Sequence, residues 1–400
     1  MRILFSTLPA TGHFHPLVPI ARAATAAGHE VAFAAPASFC PTVETVGFRA
    51  FPAGFERGGV PLDVLFPAMR TLTGEAFTRF VNGHIRVGVE AARMAPDLLT
   101  LADRWPPDLI VRDASEYGGC VAAEVLGIPH ASVRTAVTPS SYAGRRLMAD
   151  ELAALRGAHG LPPDPEVAMP FRYLHLACEP PGLWPSDDPP APTSHLLRPE
   201  PFDRPGGEGL PDWVANLGDA PTACATLGTF MNRSTDVFRA ILDGLRDEGL
   251  NLILAIGRDQ DPAQFGPQPD NVRIARYIPL SLLLPRCALV VCQAGFSTVT
   301  TALRHGLPLV MLPLGADQPL VARQCARLGV GPTLGPDERT PEAIRAAVRT
   351  VLANPVYRTN AARVGETLAA LPGPDHAVAL LERLVADRRP IMAAQGADGG

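Results

Sequence analysis

Short unbroken apolar runs alternate along this chain with segments in which apolar residues recur every three or four positions. The runs predict buried strands and the recurrences predict helices. "RILFST" (residues 2–7) is the first strand; Leu17, Ile20, Ala21 and Ala24 then lie on one helical face, which Gly28 closes as a C-terminal cap. "HEVAFAAP" is a second strand and "DLIVRDA" (108–114) a later one, followed by the helical "EYGGCVAAEVLG" and the short strand "IPHASVRT". Residues 61–104 read as helical, with Phe66, Met69, Phe77 and Phe80 as their bulky apolar side chains.

From 180 to 211 prolines and glycines crowd together and no period survives, which predicts an interdomain linker. A second series follows it: "PTACATLGT", a helix near 237–247, "LNLILAIG", "NVRIARYI", "ALVVCQ" and "LPLVMLP", then helices to about 386. The closing "AAQGADGG" reads as a disordered tail. Alternating strands and helices predict an α/β fold with parallel sheets, and 400 residues exceed one ordinary core. The expectation is two Rossmann-like domains, at 1–205 and 206–388, with the linker within 180–211 and a tail at 389–400.

Composition narrows the function. A hydrophobic fraction of 47% with 19% charged residues describes a well-buried globule. The net charge of −5 and the lack of a basic run argue against nucleic-acid or anionic-membrane partners. All 35 Lys+Arg positions are arginine, which removes Schiff-base and P-loop lysine chemistry. Seven scattered cysteines without a CxxC pair predict reduced core thiols and a cytoplasmic setting. The N-terminus enters a strand directly, so neither a signal peptide nor a membrane span is expected. Neither half carries GxGxxG after its first strand, which disfavours a nicotinamide or flavin dinucleotide.

The candidate chemistry lies at predicted strand ends, where parallel sheets gather ligands. His13 follows the first strand in "TLPATGHFHPL", on a loop suited to presenting a general base or to being an ordinary surface histidine. His15 has no third residue spaced to complete a metal site with it. Asp113 ends "LIVRD" at the same sheet edge, suited either to orient His13 or to cap a turn. Glu116, three residues on, fits a first-turn helix acid. In the second half, "ATLGT" sets Gly228 and Thr229 just past a strand, suited to close backbone approach and a hydroxyl contact or to a tight turn, while Asp317 and Gln318 in "GADQP" offer an acid and an amide for sugar hydroxyls or a helix cap. The Asp259–Asp261 pair in "RDQD" has a spacing that can hold a metal diphosphate, but its polar context before Pro262 reads as an exposed loop. "ALVVCQAGFSTVTTALRHG" (288–306) is a strand, a small-residue corner and a helix start, an arrangement that can hold phosphate on free N–H groups.

"TGHFHPLVPIARAATAAGHEV" together with "RYIPLSLLLPRCALVVCQAGFSTVTTALRHGLPLVMLPLGADQPLVARQCARLGVG" resembles the GT-B glycosyltransferases of family 1, in their bacterial natural-product branch. The resemblance spans nearly the whole chain, and its C-terminal motif is the more specific part. It implies a GT-B fold, two Rossmann-like βαβ domains facing a central cleft. It implies an inverting, metal-independent transfer of a sugar, expected to be a deoxysugar on thymidine diphosphate, to a hydrophobic acceptor such as a polyketide. His13 matches the histidine that deprotonates the acceptor hydroxyl and Asp113 the acid that orients it. Gly228 and Thr229 match diphosphate contacts, Ile278 lies where the backbone meets the nucleotide base, and Asp317 with Gln318 matches the pair that grips the donor sugar.

The phosphate corner departs from the family's His-Gly-Gly-x-Gly-Thr. It reads Gln293-Ala294-Gly295-Phe296-Ser297-Thr298, keeping Gly295 and Thr298. A glutamine N–H can still donate, so the expected loss is about 1–2 kcal/mol, roughly one order of magnitude in rate. A Cβ at 294 would weigh more if that position needs φ > 0. Phe66, Met69, Phe77 and Phe80 are candidates for an acceptor wall as well as for core packing. The expected partners are a nucleotide-sugar and a hydrophobic small molecule, with a homodimer left open. The competing readings are a non-catalytic nucleotide-sugar-binding partner of another transferase, and a GT-B cell-envelope transferase or sugar-nucleotide epimerase.

Overall fold

The computed structural model describes residues 1–136, 142–184, 189–229 and 232–393. They form two compact units, each built on one parallel sheet. In the first unit seven strands, β1 (Arg2–Ser6), β2 (Glu30–Ala35), β3 (Arg49–Pro52), β4 (Leu109–Asp113), β5 (His130–Arg134), β6 (Leu174–Ala177) and β7 (Ser194–Leu196), lie in the order β3-β2-β1-β4-β5-β6-β7. All six neighbouring pairs are parallel. The order reverses between β1 and β4, so the ends of these two strands open a crevice at the carboxyl edge. The strands are apolar because helices cover both faces: Ile3, Leu4 and Phe5 are at most 1% exposed, and the Phe5 and Phe33 rings stack at 5.0 Å.

The second unit holds β8 (Thr222–Thr226), β9 (Asn251–Ala255), β10 (Val272–Ala275), β11 (Leu289–Cys292) and β12 (Leu309–Met311) in the order β10-β9-β8-β11-β12, again all parallel. Its switch point is between β8 and β11. Helix Thr235–Leu245 places Val237, Phe238, Ile241, Leu242 and Leu245 on one face, against Leu252, Leu254 and Val291 of the sheet. No described helix is long and apolar enough to cross a membrane.

The division of the chain differs from the expected 1–205 and 206–388. The first unit comprises Met1–Cys178, Trp184–Glu200 and the chain from Pro372 on; the second comprises Glu179–Leu183 and Pro201–Leu371. The last helix, Pro374–Asp387, packs on Val18–Ala26 of the first unit through an apolar face that includes Ala377, Leu381 and Leu384. His29 Nε2 and Glu382 Oε1, 3.0 Å apart, fasten its outer side. An amphipathic pattern shows that a helix docks but not which sheet receives it. The proline-rich stretch is also more than a linker, since it contains β7, an edge strand too short to show a period. Of the expected tail, residues 389–393 are ordered. Ile391 is 1% exposed and donates its N–H to Tyr173 O at 2.8 Å, and Ala393 N–H reaches Pro192 O at 2.9 Å. Residues 394–400 lie outside the described residues.

Residues 61–104 are helical in pieces: Leu62–Leu65, Gly74–Arg79, a wide-turn π-helix Phe80–Ala91, and Ala92–Ala102. If the ordered C-terminal segment stabilises the first unit, Ile391→Ala will lower its unfolding free energy by about 2–4 kcal/mol, the usual cost of emptying a buried aliphatic site. Urea denaturation of the whole chain followed by tryptophan fluorescence checks this.

Candidate active site

His13 is placed by its neighbour. Phe14 is fully buried, edge-on to Phe33 and Phe39 at 5.2 and 5.7 Å, and anchors the one-turn helix Thr11–Phe14 behind β1. The preceding side chain is thereby left at the carboxyl edge, with 19% exposure. Asp113, the last residue of β4, has no exposure, and its Oδ2 lies 2.7 Å from His13 Nδ1. Its Oδ1 accepts the Thr135 hydroxyl at 2.6 Å and the Ser115 N–H at 3.0 Å. Burial pushes the Asp113 pKa up, but the charge and hydrogen bond of His13, with the bonds from Thr135 and Ser115, outweigh it. The net effect holds this carboxyl below the ordinary aspartate range.

Glu116, also buried, behaves differently. Its desolvation prevails over the hydrogen bonds from Ser6 and from Gly118 and Gly119 N–H, and its pKa is raised. It stands one residue before the N-cap Tyr117 and not in the first turn as expected, and accepts the first two N–H groups of helix Gly118–Leu126 from outside the helix. Arg112, fully buried, donates to the carbonyls of Asp113, Ala114 and Glu116 and so pins the turn carrying both acids. A small cavity beside them is lined by Thr7, Leu8, Arg86, Glu90 and Glu116. There Glu90 is paired with Arg57 and, at 2.7 Å, with Arg86. Burial raises the Glu90 pKa, and the two guanidiniums more than reverse it.

In the second unit, β11 ends at Cys292 and helix Phe296–Arg304 begins at Gly295 with no side-chain cap. Its first N–H groups therefore carry no side-chain cap, an arrangement that suits an anion. Ala294 is fully buried and takes φ 63°, the left-handed region in which Cβ is unfavourable. Gln293, 6% exposed, lies against the loop after β8: its Nε2 occupies the space that a Cβ on Gly228 or on Gly295 would need. The sheet thus brings Gly228, Gln293 and Gly295 together, with Phe296, Ser297 and Thr298 forming the first turn of the helix. Phe296 and Thr298 are largely buried and Ser297 is exposed. Thr229 is exposed beside Gly228.

Asp317 and Gln318 follow β12, the neighbour of β11, and Ala316 before them also takes a positive φ, 55°. Asp317 stands at the N-cap of helix Gln318–Arg327, and its side chain makes no capping hydrogen bond to that helix. Gln318 is buried and its Oε1 accepts N–H bonds from Leu314 and Gly315 at 2.8 and 3.1 Å. Half of its amide therefore shapes the loop and only its NH2 is left for a ligand. Ile278 is 2% exposed, so its backbone and not its side chain is what can meet a ligand.

Phe66, Met69, Phe77 and Phe80 are all half-buried and none enters the core. Phe66, Phe80 and His84 form one ring cluster, with Phe80 stacked on His84 at 5.0 Å; no such contact joins Met69 or Phe77 to it among the described residues. Asp261 caps a short turn through Ala263 N–H, and Arg258 pairs with Glu208, so "RDQD" is a structural loop. Among the described residues no three His, Cys, Asp or Glu side chains are grouped to hold a metal. Sequence reasoning missed Thr135, Ser115 and the Arg57–Glu90–Arg86 cluster. For Thr135 a signal existed: it is the first residue past a strand, at the same edge as Asp113.

The chain is similar to known proteins over nearly its whole length. The models of the erythromycin biosynthesis protein CIII-like family match residues 22–152 with the N-terminal domain and 239–384 with the C-terminal domain. The chain is 31% identical to 4'-demethylrebeccamycin synthase of Lentzea aerocolonigenes, covering 96% of this chain and 99% of that protein. Among solved structures it is similar to the glycosyltransferase VinC in complex with dTDP (27% identity, TM-score 0.79, 97% and 100% of the two chains). It is also similar to the spinosyn rhamnosyltransferase SpnG complexed with spinosyn aglycone (28%, 0.80, 96% and 100%). Both sheets match GT-B glycosyltransferase domains.

Two outcomes follow from the site's energetics. A depressed folded pKa makes Asp113 stabilising above its unfolded value of about 3.9, a contribution lost as pH falls through the folded value. Asp113→Asn should therefore flatten the acid limb of the stability curve, read as urea midpoints from about pH 3 to 6. Ala294→Gly should stabilise the chain by about 1 kcal/mol by relieving the left-handed backbone, read in the same way.

Proposed function

Since the chain belongs to the erythromycin biosynthesis protein CIII-like family of bacterial natural-product glycosyltransferases, we propose an inverting, metal-independent transfer of a sugar from a nucleoside-diphosphate donor to a hydroxyl of a hydrophobic acceptor. The observation that carries this reading is the His13–Asp113 pair at 2.7 Å, with the acid wholly buried. With Nδ1 facing the carboxylate, Nε2 is the nitrogen left to take a proton. The acceptor hydroxyl gives its proton to Nε2 while its oxygen attacks the anomeric carbon. The bond from that carbon to the diphosphate oxygen breaks, and the nucleoside diphosphate leaves with the electron pair. One displacement inverts the centre. Asp113 balances the imidazolium as it forms, a function for which its lowered pKa suits it.

The charge that develops on the diphosphate meets the uncapped start of helix Phe296–Arg304 and the Gln293 amide. A neutral amide contributes less than a cationic side chain would, but the helix start is retained, so the corner supports weakened and not abolished diphosphate binding. Asp317 and the Gln318 NH2 are the groups proposed to hold sugar hydroxyls. The dTDP complex of VinC makes a thymidine diphosphate deoxysugar the donor to try first. The SpnG aglycone complex and the half-buried Phe66–Phe80 cluster support a large apolar acceptor.

The test is a thermal-shift and turnover screen of dTDP-, UDP- and GDP-sugars against polyketide aglycones. The expected result is the largest shift with a dTDP-sugar, and a loss of about 10²–10⁴-fold in turnover for His13→Ala. Unchanged turnover in His13→Ala would sink the mechanism. Gln293→His should tighten dTDP binding about tenfold, measured by calorimetry, if residue 293 faces the diphosphate.

A further inference from the structure

We propose that Thr135 is a positioning residue of the proton-accepting pair: its hydroxyl occupies Asp113 Oδ1, presents Oδ2 to His13, and selects the histidine tautomer. The inference rests on His13 acting as the base. Thr135 is 3% exposed and follows β5, whose register sets Val133 opposite Asp113. Ala114 N–H to Val133 O, at 2.9 Å, continues that register past the strand end. Its backbone is thus fixed against the turn that carries the acid.

A hydroxyl has one proton to give, and here it goes to Asp113 Oδ1 at 2.6 Å. The same oxygen lies 3.3 Å from His13 Nδ1. With its proton committed, Thr135 Oγ1 can offer the imidazole only a lone pair. A lone pair attracts an Nδ1–H and repels a bare Nδ1. Asp113 Oδ2 makes the same demand at 2.7 Å. Two acceptors on Nδ1 therefore hold the proton there and leave the Nε2 lone pair for the acceptor hydroxyl. The Ser115 N–H on Oδ1 cannot replace Thr135, because it fills one lone pair of that oxygen and does not touch the ring.

The test needs no substrate. The whole chain, labelled with ¹⁵N-histidine, is compared by long-range ¹⁵N–¹H NMR in the parent, Thr135→Val and Thr135→Ser, with His13→Gln identifying the His13 signals. The parent should show the Nδ1–H form of His13 as the main tautomer. In Thr135→Val the ratio of the Nδ1–H to the Nε2–H form should fall about tenfold, whereas Thr135→Ser keeps the parent pattern. Circular dichroism confirms folding, and Thr135→Ala, which also lacks the hydroxyl, replaces the valine variant if that does not fold. An unchanged ratio in a folded variant without the hydroxyl overturns the proposal, as does a serine variant that shifts as far as the valine one. A parent His13 protonated on Nε2 would instead remove the general-base reading itself, so the two failures are distinguishable.

Discussion

A carboxylate with no access to water is the constraint around which the N-terminal site is organised. An ionised Asp113 in that position is tolerable only if donors surround it, because desolvation opposes its charge. Its partners come from three places in the chain: His13 behind β1 as its ion-pair partner, with Ser115 on the acid's own turn and Thr135 behind β5 as hydrogen-bond donors. They meet because β4 lies between β1 and β5 in the sheet. Parallel strands put all three ends on one edge. Arg112 then holds the turn itself through three carbonyls, so the acid cannot swing away from its partners.

The second unit repeats the principle with a different charge. Its carboxyl edge gathers the ends of β8, β11 and β12, and what they present is an uncapped helix start, a buried amide and an N-cap acid that does not cap. Two alanines there, Ala294 and Ala316, sit in left-handed backbone. Each position costs of order 1 kcal/mol relative to glycine, and the surrounding structure holds it. Strain kept in the two corners proposed to meet the donor is consistent with geometry that serves binding over stability. Gln293 ties the corner at Ala294 to Gly228, since its amide fills the space in which any larger residue at 228 would stand.

In the proposed reaction, the first unit is the one to offer a base beside a buried acid, and the second the one to offer fixed dipoles to a leaving anion. In the displacement proposed here, neither a lysine nor a stored covalent intermediate is required, which agrees with a chain that has no lysine at all.

Much of the fold is legible in the sequence. Nine of the twelve described strands show as apolar runs, and His13, Asp113 and the 293–298 corner lie at carboxyl edges as expected, because hydrophobic burial and strand direction are local properties written in residue order. The edge strands β3 and β7, at four and three residues, are too short for a period and exist only because a neighbouring strand pairs with them. The last helix looked like part of the second domain by adjacency, and only packing on Val18–Ala26 assigned it to the first. Gln318 read as a sugar-gripping amide, yet half of it folds its own loop. Thr135 carried no motif. Such assignments depend on which groups meet across distant segments, and a hydrogen bond between residues 22 apart in sequence is decided by the sheet order and not by either residue.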